Sequence, residues 1–395
     1  MKEKNEFEKH QAAKKYHEGQ DLALRGRYEE AIECYDKAIE LNGNNIDILS
    51  AKMISALQLE RLEEAIESYD NAMDIYKSDV DGDHNEWTKY IIREMELRRE
   101  DAAIRYNNDG CSLSMRRQYE EALEEHNKAI RLDPYNIYFL KEKANVLVEL
   151  KRLEEAIEVL DEVIEIEPND AQSYNRKGYI LAESGRYEEA IECYDKAIDI
   201  NPDADVLFYK KGNILVELGR YEEAIECYDK ALSLNPDADI LYYKKGNSLA
   251  YLGKYEEAIR EYDKAIEIKP DHAKAINNKG NSLYELGRFE EAIECYAKSI
   301  SLKPNDASYY CNKANCLDEL GRYEEAIIAY DKAIELNPDY ANSYNNKGSR
   351  LYNIGKYEEA IIAYDNAIEI NPDFAVAINN RTIVIEKLGS AGDAT

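Results

Sequence analysis

The chain has 395 residues, 44% of them hydrophobic and 33% charged, which is apolar enough for a packed interior and excludes wholesale disorder. With 51 Lys+Arg against 81 Asp+Glu the formal net charge is −30, so it lacks the basic face that nucleic acid or an anionic membrane surface requires. No run of about eighteen apolar residues occurs, and the first ten residues hold no apolar signal core, so neither a membrane span nor secretion is expected.

The predicted elements recur with a fixed period. The string Tyr-Glu-Glu-Ala-Ile, or a close variant, starts at Tyr28, Leu62, Tyr119, Leu153, Tyr187, Tyr221, Tyr255, Phe289, Tyr323 and Tyr357. The step is 34 residues throughout, except for one step of 57 that carries an insertion of 23. Ten repeats therefore run from Ala12 to Phe374. In chain order, residues 1–79 read as an N-terminal extension with two degenerate repeats. Residues 80–102 read as the insertion: a loop opened by Asp81-Gly82-Asp83, then a helix bearing Trp87, Tyr90, Ile91 and Met95 that runs into the third repeat. This insertion is the expected joint of the molecule. Residues 103–374 hold the third to tenth repeats. Residues 375–389 repeat the first-helix pattern alone, as a lid ended by Gly389, and 390–395 form a small, polar tail.

One repeat shows the design. In 205–238, Leu207, Phe208, Leu215 and Leu218 recur at helical spacing until Gly219-Arg220 breaks the pattern. Tyr221, Ala224, Ile225, Tyr228, Ala231 and Leu232 then form one stripe at three- and four-residue steps. Asn235-Pro236-Asp237 ends it, because the residue before proline avoids the helical region. The repeat is thus helix, turn, helix, turn. Gly212 sits inside the first helix, where glycine costs about 1 kcal/mol relative to alanine, and it recurs as Gly19, Gly110, Gly178, Gly246, Gly280 and Gly348. Close approach of the paired helices explains it, with Ala190, Ala224, Ala258, Ala292, Ala326 and Ala360 expected opposite. Tyr194, Tyr228, Tyr262, Tyr296, Tyr330 and Tyr364 are expected to fill the wedge to the next repeat.

Phe208, Gly212, Leu215, Ala224, Tyr228, Ala231 and Pro236 together resemble the tetratricopeptide repeat family. The resemblance implies an all-α fold, a right-handed superhelical α-solenoid of antiparallel helix pairs whose first helices line a concave groove. It also implies a non-catalytic scaffold that binds an extended peptide or a partner protein. Two departures stand out: Met53 replaces the glycine of the second repeat, and Lys177, Lys211, Lys245, Lys279, Lys313 and Lys347 stand where the family prefers leucine.

The family's groove positions here carry Asn145, Asn213, Asn247, Asn281 and Asn315 in one row. A second row holds Arg176, Lys210 and Lys244, then Asn278, Asn312, Asn346 and Asn380. An Asn amide offers a donor and an acceptor, so a ladder of them suits an extended peptide's backbone. The basic residues suit acidic side chains or a terminal carboxylate. The family's clamp for chaperone tails is matched by Lys141 and Asn145 and then lost at Arg176, Val206 and Lys210, which leaves a co-chaperone role with little support.

The acidic excess of each repeat lies on its second helix, in the Glu-Glu pairs. Acids there suit the helix dipole and solvate the outer face. An alternative reading makes that acidic convex face a dock for a larger assembly. The pairs recur in every repeat, whereas carboxylate catalysis needs one special environment. His10, His17, His84, His126 and His272 are scattered, and neither phosphate-binding glycine motif occurs. No catalytic residue, metal or cofactor is expected. The seven Cys are odd in number and form no C-x-x-C pair, which reads as reduced thiols in the cytoplasm.

Overall fold

The computed structural model describes residues 2–78 and 86–392. The expected Asp81-Gly82-Asp83 loop and residues 393–395 of the tail lie outside the described residues. Among the described residues there are twenty-one helices and no strand. They run as α1 (Lys2–Leu24) with α2 (Tyr28–Asn42), α3 (Ile46–Gln58) with α4 (Leu62–Ser78), and α5 (Glu86–Met115) with α6 (Tyr119–Leu132). Next come α7 (Ile137–Glu149) with α8 (Leu153–Ile166), α9 (Ala171–Glu183) with α10 (Tyr187–Ile200), and α11 (Asp205–Glu217) with α12 (Tyr221–Leu234). The regular series continues with α13 (Asp239–Tyr251) and α14 (Tyr255–Ile268), α15 (Ala273–Glu285) and α16 (Phe289–Leu302), then α17 (Ala307–Glu319) and α18 (Tyr323–Leu336). The last pair, α19 (Ala341–Asn353) and α20 (Tyr357–Ile370), is followed by α21 (Ala375–Gly392), which has no second helix.

The turn inside each pair has a local cause. Gly219 takes φ 73° after α11, its N–H bonds Val216 O at 2.9 Å, and Arg220 N–H bonds Leu215 O at 2.8 Å. That left-handed residue closes the helix and costs glycine little. In the N-terminal half three turns take the same conformation without glycine, at Glu60 (φ 56°), Arg117 (φ 62°) and Lys151 (φ 61°). Each stores strain of about 1 kcal/mol. The second helices then bury one stripe: in α12, Ala224, Cys227, Tyr228, Ala231 and Leu232. A buried Tyr or Leu contributes roughly 2 kcal/mol. No single pair has enough such residues to stand alone, so stability comes from stacking neighbours.

The chain divides into two compact units, Met1–Cys193 and Tyr194–Thr395, so the division falls within α10. The joint expected at 80–102 is not where the structure divides. The helical part of the insertion is continuous with the third repeat's first helix in the 30-residue α5. It buries Ile92 and Met95 in one core with Leu57, Leu62 and Tyr106, and burial on that scale welds a segment to its neighbours. The lid also differs in length: α21 continues past Gly389 to Gly392, because a lone glycine without a left-handed turn does not stop a helix.

A candidate interaction face on the first helices

The first helices are shaped by what stands behind their glycines. A Cβ added at Gly212, Gly246, Gly280 or Gly348 would lie 2.7, 2.6, 2.8 or 2.8 Å from the ring of Tyr228, Tyr262, Tyr296 or Tyr364. Each ring comes from the same repeat, 16 residues later. This corrects one expectation from sequence: the ring, not the alanine, is what stands nearest each glycine. The same rings also pack toward the next repeat, Tyr262 in one cluster with Ala275 and Tyr296 in one with Cys316. The alanines are fully buried beside them. The tyrosine is long enough to cross the helix pair, which a methyl group is not.

Crossing the pair brings each hydroxyl to the groove row. Tyr228 donates to Asn213 Oδ1 at 3.0 Å, Tyr262 to Asn247 at 2.9 Å, Tyr296 to Asn281 at 2.8 Å and Tyr330 to Asn315 at 2.6 Å. Burial raises the pKa of all four tyrosines well above the ordinary phenol range, so they remain neutral donors. Asn145 has no such support, because Leu160 occupies the tyrosine position of its repeat.

The second row ties one repeat to the one before it. Asn278 Nδ2 donates to Asn247 Oδ1 at 2.9 Å. Asn312 Nδ2 donates to Asn281 Oδ1 and to Asn277 Oδ1, both at 3.1 Å. Asn346 Oδ1 accepts from Asn345 Nδ2 at 3.3 Å, and Asn380 donates to Asn345 Oδ1 at 3.1 Å. The structure therefore brings Asn247 with Asn278, and Asn281 with Asn312. The side-chain carbonyls of Asn247 and Asn281 are each held by two donors. Sequence reasoning missed this internal use of the amides, although the constant offset of 15 residues from Asn to Tyr was its available signal.

The basic residues stand in different settings. Lys141 Nζ pairs with Asp170 Oδ2 at 2.7 Å, away from any free role. Burial pushes the Asp170 carboxyl up, but hydrogen bonds from Lys141 and Ser173 outweigh it and hold its pKa below the usual value. Arg176 lies in the N-terminal unit, its guanidinium 5.9 Å from the centre of the Tyr179 ring. Lys210 and Lys244 lie half-buried in the C-terminal unit.

The unusual lysines before the glycines have a different task. Lys211 pairs with Asp195 at 2.5 Å, Lys245 with Asp229 and Lys279 with Asp263 at 2.6 Å, and Lys347 with Asp331 at 2.5 Å. Lys177 with Asp161 and Lys52 with Asp36 repeat the pattern. Each aspartate belongs to the second helix of the preceding repeat, so these pairs staple neighbours together.

Burial pushes the Cys227 thiol up to about 11 and the Cys316 thiol to about 12, which disfavours the thiolate. Among the described residues no cluster of His, Cys, Asp and Glu could hold a metal ion, and no helix is long and apolar enough to cross a membrane.

Tetratricopeptide repeat profiles match residues 19–52, 114–176, 171–204, 193–226, 212–251, 237–305, 277–341 and 341–374. Among solved structures, the C-terminal part of a TPR repeat-containing protein from Cytophaga hutchinsonii is 22% identical with TM-score 0.53, covering 60% of this chain and 97% of that one. A tetratricopeptide repeat protein from Parabacteroides merdae is 21% identical with TM-score 0.48, covering 63% and 98%. YrrB, described as a TPR protein with an unusual peptide-binding site, is 26% identical with TM-score 0.43, covering 49% and 99%. No curated relative matches the chain.

Proposed function

Because the chain belongs to the tetratricopeptide repeat family, we propose that it is a non-catalytic scaffold that holds an extended peptide segment of another protein along its first helices. Protein interaction in general follows from the family. The finer reading rests on one observation: Tyr262, Tyr296 and Tyr330 fix the carbonyl oxygens of Asn247, Asn281 and Asn315. An amide anchored by its oxygen has its NH2 group set in direction before any ligand arrives. Preorganised donors at the spacing of the repeats suit a run of peptide carbonyls, with little side-chain entropy left to lose. The unpaired thiols support a reducing compartment, and we assign the protein to the cytoplasm.

The hydrogen bonds decide which variants test this. Alanine at 281 would strip Tyr296 of its acceptor and Asn312 of one of its two, and so mix stability with binding. Asn281→Asp with Asn315→Asp keeps the acceptor oxygen and removes the NH2 donor. Affinity for extended peptides selected on the wild-type protein should fall about tenfold or more, with thermal unfolding nearly unchanged and the loss persisting in high salt. Equal affinity in the double variant rejects the amide ladder.

A further inference from the structure

We propose that the outer side of α17 and α18 carries a second binding site, for a short partner segment that presents an aliphatic side chain beside a carboxylate. The argument begins with the staple that this place lacks. The pairs at Lys211, Lys245, Lys279 and Lys347 all reach an aspartate 16 residues earlier. Lys313 stands in the same register, but its partner position is Ala297. Among the described residues Lys313 has no ion-pair partner. Lys143 also lacks the aspartate, but a polar residue, Asn127, holds that register position; at Lys313 the replacement is a methyl group.

Lys313 is half-buried and lines a cavity of about 500 Å³ with Tyr310, Leu317, Ile328 and Ala329. The acids on that wall are already engaged. Glu325 is held by Arg322 at 2.6 Å, Asp331 by Lys347 at 2.5 Å and Glu335 by Lys332 at 2.7 Å. Lys313 also draws the Glu325 carboxyl down, but less than Arg322 does. Each of the three acids has a paired base, two of them (Arg322 and Lys347) from outside the lining, which leaves the Lys313 ammonium as the lining charge with no ion-pair partner. A half-desolvated ammonium without a carboxylate is poorly satisfied, and an incoming anion relieves it.

The apolar half of the site is also a local departure. Ile328 is 69% exposed and Ile362 in the next repeat 61% exposed, where α12 and α16 carry Glu226 and Glu294. The exchange removes a carboxylate that would repel an acidic segment and supplies aliphatic surface beside the cavity. On α17, Tyr310, Lys313 and Leu317 project from the side opposite Asn312 and Asn315, at about 100° per residue, so this site is separate from the first-helix face. A basic segment is disfavoured by Lys313, and a purely apolar one leaves that charge unmet.

The test uses the full chain and an array of acetylated hexapeptides, each with two aliphatic residues and one Asp or Glu, beside Asn and Gln counterparts. Wild type should retain acidic-aliphatic peptides and not their amide counterparts. Ala297→Asp, which supplies the missing staple, and Ile328→Glu should each weaken retention about tenfold. Asn281→Asp/Asn315→Asp should leave it unchanged. Both single variants introduce the residue type that neighbouring repeats carry, and their unfolding midpoints confirm that they fold. The proposal is overturned if wild type retains none of the acidic peptides, if Ala297→Asp and Ile328→Glu retain them as wild type does, or if the loss appears in the double Asn variant instead.

Discussion

The stretch from α3 to α6 and the stretch from α11 to α20 solve the same packing problem differently. In the regular stretch the core is a series of small clusters, each built around a tyrosine ring that faces a small residue, glycine or Ala314, on its own first helix: Tyr262 with Leu249, Tyr296 with Leu283, Tyr330 with Leu317. Around the insertion one core joins Met53, Leu57, Leu62, Met95 and Leu132. Met53 takes the glycine position, and the ring that would enter, Tyr69, is only partly buried, with the Arg99 guanidinium 4.5 Å from its centre. Trp87 anchors the same region by donating to Asp47 at 3.0 Å and stacking on Tyr90. The third repeat keeps Gly110 but replaces the tyrosine with His126, fully buried and 3.0 Å from Asn107. A small residue at the glycine position admits a ring, whereas Met53 fills the space itself and leaves Tyr69 only partly buried.

Four changes break or sharpen this contrast. Met53→Ala should cost roughly 3–4 kcal/mol, the price of emptying a site that is 1% exposed. The sole tryptophan, Trp87, lies in that core's neighbourhood, so its fluorescence in a urea titration should shift while the regular repeats unfold as before. If both transitions move together, the two regions are one cooperative block.

The second change is acid. Burial holds His126 down to about 4, with no ionic partner to offset it, against an ordinary value of 6.5. The unfolded chain then binds the proton first, so this contribution is complete above pH 6.5 and lost as pH falls toward 4. The loss reaches about 3 kcal/mol near pH 4. Hydrogen exchange should show α5 and α6 opening ahead of α13–α16, and His126→Tyr should remove the difference. Persistence of the acid step in His126→Tyr assigns it to another group.

The third change carries the Met53 solution into the regular stretch. Gly246→Met drives a side chain into the Tyr262 ring, whose Cε1 would lie 2.6 Å from the new Cβ. Overpacking of this kind costs about 2 kcal/mol. Tyr262→Ala in the same chain should recover part of it, whereas purely additive losses would show that the two side chains do not collide. The smallest effect is a gain. Lys151→Gly relieves a φ of 61° and should raise stability by about 1 kcal/mol, read from the urea midpoint. The same substitution at a right-handed helical position should lower it.

Much of the fold was legible in the 34-residue spacing, because helical periodicity and turn residues act within a few positions of themselves. The candidate site was less so. The groove amides were found as a pattern, but their carbonyls proved to serve Tyr228, Tyr262 and Tyr296, and Lys141 proved to belong to Asp170. The lysines before the glycines looked like departures and are staples between neighbours. The insertion looked like a joint and is part of a core.

By itself the sequence determined the helix pairs and their number, since these depend on local geometry and a repeated spacing. Only the tertiary structure decided which neighbour each long side chain reaches. A tyrosine or lysine is long enough to meet more than one neighbouring helix, and the crossing of the packed helices selects its partner.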